Sequence, residues 1–438
     1  MASSHHGSQP KCSGPSGRVV LLTQVYVPDA TAVGQHFHDV MRELARRGHA
    51  VTVYTSDRAY NDPTTRFPSH EWIDGVEVVR LRYTSFGKRN LPLRLLGAAS
   101  FLFQSTLRTL FIRRYDYMIV STSPPMCIVA PLVASVFRRF ALTYWAMDLS
   151  PEHLVVLGKL RANSFLSKVL DYLNAMILRR ADTIIALDDC MAERLANKTS
   201  IRGELAVVPP WSSTDTTHDI SQEHNAFRKS LGLGERRILM YSGNHGLGLP
   251  LETLLTAALD FRGHDRIAFV FIGEGVRKAE VTQWIDKHHV TNARALPYQP
   301  LADLHWSLSA ADVHVVSVGE DLSGIIHPCK IYGAMSVSRP ILLLGPIPNY
   351  ASELVAANNI GWLVRHADID AMRDVLRIIV DSDPDTLSSM GKRAADVITT
   401  RFRKSDLVGR VCDRIEARGG GRYSRHGSQG SDKGGMNV

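Results

Sequence analysis

Short apolar runs rich in β-branched residues recur along the chain, and most are followed by a polar or glycine-containing loop and then a helical stretch. Residues 18–26 (RVVLLTQVY) open the series and read as a buried parallel strand. Phe37, Val40, Met41, Leu44 and Ala45 then fall on one face of a helix that Gly48 stops, and residues 50–56 (AVTVYTS) form the next strand. Strand, helix and strand in this order make a βαβ unit. Residues 76–83, 115–122, 141–148, 182–188 and 206–210 continue the strand series. The strand ends at Ser123, Asp148 and Asp188 are expected at one crevice, because open α/β sheets bind ligands at the carboxyl ends of their strands.

A polar stretch without periodicity follows Pro210, and a second series then begins, with strands expected at 237–243, 267–273, 293–298, 313–318 and 340–345. The pattern predicts a flexible tail over 1–17, a first α/β domain over 18–210, a linker over 211–235, a second α/β domain over 236–395, a terminal helix over 396–418 and a disordered tail over 419–438.

The chain's 438 residues suffice for two domains with separate cores. A net charge of +8 favours anionic partners, namely nucleotide phosphates, anionic lipid or nucleic acid, without choosing among them. No aromatic-interleaved basic stripe accompanies that charge, which argues against nucleic acid. Cys12, Cys127, Cys190, Cys329 and Cys412 are scattered and odd in number, so a disulfide framework or zinc site is not expected and a reducing cytoplasm fits. His36, His38, His245 and His327 are spread over both halves and lack metal-ligand spacing. Residues 1–17 have no apolar run and read as neither signal peptide nor anchor.

Residues 91–112 (LPLRLLGAASFLFQSTLRTLFI) are unusually apolar, interrupted by Arg94 and Arg108 and flanked by Lys88, Arg89, Arg113 and Arg114. Two readings stay open: a core helix under the first sheet, or a helix lying on the inner face of a cytoplasmic membrane.

Three loops of the second half carry candidate chemistry. YSGNHGLG (241–248) follows a strand and precedes a helix, where glycines let backbone N–H groups approach phosphate. Ser242, Gly243, Asn244 and Gly246 are the candidate contacts there, and Gly246 is expected to need positive φ. FIGEG (271–275) supplies Gly273, Glu274 and Gly275 at the next strand end, with Arg277 just beyond. GEDLSGIIHPCK (319–330) supplies Ser323, Gly324 and Lys330, a lysine in a charge-poor stretch and suited to a diphosphate.

These loops stand in a specific order: S-G-N-x-G (242–246), I-G-x-G (272–275), N-x-R-x-x-P-Y-Q-P (292–300), S-x-A-D-V-H-V (309–315), then P-x-K-x-Y followed by R-P-I (328–341). The first half adds V-G-Q-H (33–36) and E-L-A-R-R-G-H (43–49). The ordered set resembles family 4 glycosyltransferases of GT-B fold, in particular the cell-surface polysaccharide branch that includes colanic-acid and O-antigen transferases. That resemblance implies two Rossmann-like domains facing each other across a cleft. It also implies a nucleotide diphosphate-sugar donor held by the second domain, a glycan or lipid-linked acceptor, no metal and a retaining outcome. Under it, Gly34 joins the donor contacts, Tyr298 lines the base, and Asp148, Glu152 and His245 are the acid/base candidates.

Many relatives place a Glu, seven residues and a second Glu where Ile325 and Gly333 stand here, and have His before the residue equivalent to Asp148, where Met147 stands here. Their Arg and Lys after the S-G-N loop are missing, which leaves Lys330, with Arg277 or Lys278, to supply positive charge. A GT-B nucleotide-sugar epimerase and a non-catalytic nucleotide-sugar-binding subunit are the alternatives. A Rossmann dehydrogenase fits poorly, because no acidic residue follows S-G-N-x-G-x-G at the expected distance.

Overall fold

The computed structural model describes residues 17–418, apart from 30, 60–61, 63, 85–90, 113, 123–124, 213–216 and 218–219. The expected tails, apart from Gly17 of the first, lie outside the described residues, as do Ser123, Lys88, Arg89 and Arg113.

The first sheet has eight strands: β1 (Arg18–Leu22), β2 (Ala50–Ser56), β3 (His70–Ile73), β4 (Val76–Leu81), β5 (Tyr117–Ser121), β6 (Ala141–Trp145), β7 (Thr183–Ala186) and β8 (Glu204–Val207). Their order is β3-β4-β2-β1-β5-β6-β7-β8, and all pairs are parallel except β3 with β4. β5 and β6 are buried along their whole length, which is why they read as continuous apolar runs. The second sheet has six parallel strands: β9 (Arg237–Ser242), β10 (Ile267–Ile272), β11 (Ala293–Leu296), β12 (Val313–Ser317), β13 (Ile341–Leu344) and β14 (Gly361–Val364), in the order β11-β10-β9-β12-β13-β14.

Two strands were not expected. β3 is a short edge strand with no buried residue, so it lacks an apolar signature. β14 begins at Gly361, whose absent Cβ would lie 1.8 Å from the Ile341 carbonyl oxygen. Close backbone approach, not hydrophobic pattern, selects that residue.

Among the described residues, six α-helices belong to the first half: α1 (Ala32–Arg46), α2 (Leu91–Phe111), α3 (Val129–Phe137), α4 (Glu152–Val156), α5 (Phe165–Arg180) and α6 (Asp189–Lys198). α1 starts where the Thr31 hydroxyl accepts from the Gly34 N–H at 3.2 Å, and it buries Phe37, Val40, Met41 and Leu44, as its spacing predicted. α2 is amphipathic. Phe101, Ser105 and Thr109 are buried, while Leu96, Phe103 and Phe111 are exposed by 58, 65 and 79 %. One face is therefore in the core and another, apolar, face is in solvent.

The expected linker over 211–235 is shorter than its bounds. Trp211 is buried in the first domain and donates its indole N–H to Asp39 at 2.9 Å. Asn225 caps the helix Ala226–Ser230, and Arg228 pairs with Asp312 at 2.9 Å, so this part already belongs to the second domain. The single helix expected over 396–418 is also corrected. Pro384–Arg401 and Lys404–Ala417 are separate helices. The latter crosses back to pack on α1, burying Leu407, Val411 and Ile415, with Arg47 bonded to Asp413 and Glu416 at 2.6 and 2.7 Å.

Candidate active site

The order of the second sheet reverses between β9 and β12, the switch point at which open parallel sheets hold ligands. The loops after β9, β10 and β12 meet there, backbone against backbone. Gly243 N–H donates to the Ile272 carbonyl at 2.9 Å, His245 N–H to Glu274 at 2.8 Å, and Gly319 N–H to Gly248 at 2.9 Å. A Cβ on Gly273 would stand 1.9 Å from the Gly243 oxygen, and Gly273 has φ +129°. No side chain fits there on either count. The expectation for Gly246 is corrected, since its φ is not positive. The loop turns at Gly243, with φ +136°, and Ser242 is half-buried at the end of β9. Asn244 is exposed, and its carbonyl accepts from the Tyr241 hydroxyl at 2.7 Å.

Gly243 is also where Lys330 lies. A Cβ there would meet the Lys330 Cε at 2.5 Å, and the Lys330 Nζ sits 5.1 Å from the Tyr241 ring centroid. Lys330 opens the helix Lys330–Ser336, and among the described residues no carboxylate pairs with it. Removal from water pushes its pKa down to about 8. His245 is buried beside the same Tyr241 ring, 4.8 Å between centroids. Neither of its ring nitrogens makes a full hydrogen bond, although the Ile272 carbonyl lies on its side. Burial, with Lys278 and Lys330 nearby, pushes its pKa down to about 4, so the imidazole is neutral at neutral pH.

The other two expected cations are engaged elsewhere. Arg277 is held by Glu252 and by Glu280, the latter at 2.8 Å. Lys278 donates to the Gly273 carbonyl at 2.8 Å and to that of Leu296. Of the three, Lys330 alone faces the crevice without a protein acceptor. Glu274 and Gly275 are exposed, and Tyr298 is 45 % exposed beside the Glu274 loop.

The loop after β12 also closes the two domains together. Leu149 N–H donates to the Ile325 carbonyl at 2.9 Å, and Arg194 Nε to that of Ser323 at 2.8 Å. Gly324, with φ +69°, sits against the Cys190 backbone, leaving no room for a Cβ. His327 and Asp188 are buried between the domains, Nδ1 to Oδ2 at 2.7 Å, and the other ring nitrogen meets the Tyr332 hydroxyl at 2.8 Å. Sequence reasoning treated His327 as one unremarkable histidine among several. Its partner lies 139 residues away, so no local spacing could reveal the pair. Ile325 is buried.

On the first-domain side, a Cβ on Gly34 would lie 2.8 Å from the Thr31 hydroxyl and 3.3 Å from the Tyr26 backbone, near the switch between β1 and β5. Asp148 donates its N–H to Thr122 Oγ1 at 3.1 Å. Its carboxylate reaches solvent, yet surrounding protein raises its pKa by desolvation, opposed by His153 and His327. Cys329, the neighbour of Lys330, also feels the Asp148 charge, which places Asp148 across the cleft from the Lys330 loop. Glu152 is turned away and bonded to Lys198 at 2.6 Å. Asp148 is thus the better placed of the two carboxylates. Among the described residues no group of three His, Cys, Asp or Glu side chains could hold a metal ion.

Two parallel-sheet domains closed over such a crevice define the GT-B class of glycosyltransferases, and residues 31–211 match the model described as a glycosyl transferase 4-like domain. The chain is a glycosyltransferase of that fold and resembles family 4. It is 24 % identical over 392 residues to the probable glycosyltransferase WbjE of Pseudomonas aeruginosa, covering 88 % of this chain and 94 % of that one. It is 24 % identical over 327 residues to the putative colanic acid biosynthesis glycosyl transferase WcaI of Escherichia coli strain K12, covering 71 and 79 %. Among solved structures, Anabaena HepE in complex with UDP and glucose superposes with a TM-score of 0.68 at 15 % identity, covering 92 % of this chain and 100 % of that one.

Proposed function

We propose that the protein transfers a hexose from a uridine diphosphate-sugar to a lipid-linked or polysaccharide-precursor acceptor, with retention and without a metal. The observation that carries the reading is Lys330, half-buried at the switch crevice beside the Gly243 turn and without a carboxylate partner among the described residues. A diphosphate placed there meets a cation with no competing protein carboxylate, at the start of a helix. As the bond to the sugar breaks, charge grows on the leaving diphosphate, and Lys330 with the loop N–H groups stabilises it. His245, neutral and lacking a full hydrogen bond, offers a donor or acceptor to the same group. Asp148, open to the cleft with a raised pKa, takes the proton of the acceptor hydroxyl. Domain closure through His327 and Asp188 excludes water and limits donor hydrolysis.

The colanic acid role ascribed to WcaI and the UDP bound by HepE support the choice of acceptor and donor classes. The exposed apolar stripe of α2 supports a peripheral position on an anionic membrane, where a lipid-linked acceptor resides. No helix among the described residues is long and apolar enough to cross a membrane. The test is a panel of nucleotide sugars scored by thermal shift, followed by product analysis with a lipid-linked acceptor. Stabilisation by UDP-sugars, with transfer, is expected. A panel in which no nucleotide diphosphate-sugar shifts the melting temperature would overturn the reading. Stabilisation without transfer would favour the binding-subunit alternative.

A further inference from the structure

At the edge of the first sheet opposite the crevice, a cavity of about 620 Å³ is lined by Arg138, Arg139, Arg179, Arg180, Arg202 and Arg418. These residues come from the segments entering β6, β7 and β8 and from the end of the last helix, so the sheet topology alone brings them together. Asp182 is the one carboxylate on the lining, and it is taken up by Arg180 at 3.1 Å. Arg202 has no hydrogen bond or ion pair among the described residues. Asp182 takes up Arg180 and Glu204 lies 3.8 Å from Arg418, so the six guanidinium groups outnumber the carboxylates paired with them in a concave site, and planar guanidinium forks match phosphate oxygens.

The rim of this cavity is apolar. Arg138 donates to the Leu110 carbonyl at the end of α2, which sets it beside Phe111, exposed by 79 %. Val136 and Phe137, exposed by 76 and 73 %, immediately precede it at the end of α3. α2 and α3 pack side by side, and the exposed stripe of α2 runs about 30 Å from the crevice end of the sheet to this rim. Apolar side chains flanking an arginine-lined hollow suit an interface where acyl chains and phosphates meet, and they have no use for a freely dissolved phosphate.

We infer that this arginine cavity is a second binding site, separate from the donor crevice, that receives the phosphate of an anionic phospholipid headgroup while Phe111, Val136 and Phe137 enter the bilayer surface. The inference rests on the peripheral placement given under the proposed function. It adds that attraction is concentrated in one pocket rather than spread over the basic surface. With the membrane at α2 and α3, the crevice opens along the bilayer rather than away from it.

The experiment is flotation with phosphatidylglycerol vesicles, with phosphatidylcholine vesicles as the neutral reference. Arg139→Ala with Arg202→Ala removes two pocket cations, and Lys287→Ala with Lys392→Ala removes two exposed cations from the second domain. Each surface cation lost at the docking site weakens partition about fivefold, so the pocket pair is expected to lose about 30-fold and the distant pair less than twofold. UDP binding and melting temperature of each variant confirm that it is folded. Equal losses in both pairs, or none in the pocket pair while the wild type floats, would overturn the pocket and leave peripheral binding standing. A wild type that fails to float on anionic vesicles would overturn both the pocket and the peripheral placement. Glycerol phosphate or pyrophosphate raising the wild-type melting temperature without vesicles, to an extent abolished by the pocket pair, would assign the site to a free phosphate and overturn the lipid.

Discussion

Lys330→Met separates what the charge of Lys330 costs the fold from what it contributes to binding. Methionine keeps an unbranched stem against Gly243 and Tyr241 and removes only the ammonium group. In the folded protein the pKa of Lys330 is pushed down from 10.5 to about 8, because the ammonium is partly withdrawn from water and has no carboxylate partner. Between pH 8 and 10.5 the unfolded chain therefore holds more protons than the folded one at this position, so stability rises with pH across that window. Below pH 8 the penalty is present in full. The variant escapes it and is expected to melt higher than wild type at pH 7, with the two curves converging toward pH 10. The order reverses for the donor. A charge-assisted contact to phosphate contributes about 1.5–3 kcal/mol, so UDP should bind the variant about 10- to 150-fold more weakly. Wild-type affinity should also fall as pH rises through 8, when the free lysine loses its proton, whereas the variant should show no such fall. Isothermal calorimetry with UDP at pH 7 and 9, beside thermal melts from pH 7 to 10, measures both sides. Equal UDP affinity for variant and wild type at pH 7 would refute the assignment of Lys330 to the diphosphate.

Gly273→Ala should destabilise the protein by at least about 1–3 kcal/mol and abolish donor binding, because its Cβ would press on the Gly243 carbonyl that shapes the loop; urea unfolding and UDP calorimetry measure it. Asp148→Asn should slow transfer about 10²–10⁴-fold with UDP affinity unchanged. In wild type, transfer should decline on acidification at a higher pH than an ordinary aspartate would dictate, because the raised pKa protonates the carboxylate earlier as pH falls, and a normal rate for the variant removes Asp148 from the mechanism. Asp188→Ala strips α6 of its cap to the Met191 N–H and leaves His327 without its partner across the domains. A loss on the order of 2–4 kcal/mol in chemical denaturation is expected, and unchanged stability would show that the pair does not hold the domains.

Hydrophobic pattern alone determined the two-domain α/β architecture. Parallel strands such as β5, β6 and β10 are buried on both faces, and β9 nearly so, which forces continuous apolar runs, and glycine-bearing loops at several of their ends follow from the close approach of neighbouring backbones. The positions of Lys330 and of the 241–248 loop at one crevice were legible for the same reason, since strand ends in a parallel sheet all emerge on one side. β3 and β14 were not legible, because an exposed edge and a four-residue strand opened by a glycine leave little hydrophobic signature. Which cation of Lys330, Arg277 and Lys278 stays available depends on Glu252, Glu280 and two backbone carbonyls, contacts that form only after the loops have folded against each other. The His327–Asp188 pair, the return of the last helix to α1 and the arginine cavity join residues from remote parts of the chain. No local period encodes such contacts. They arise when the sheet order places separate segments side by side and burial or like charge makes their juxtaposition consequential.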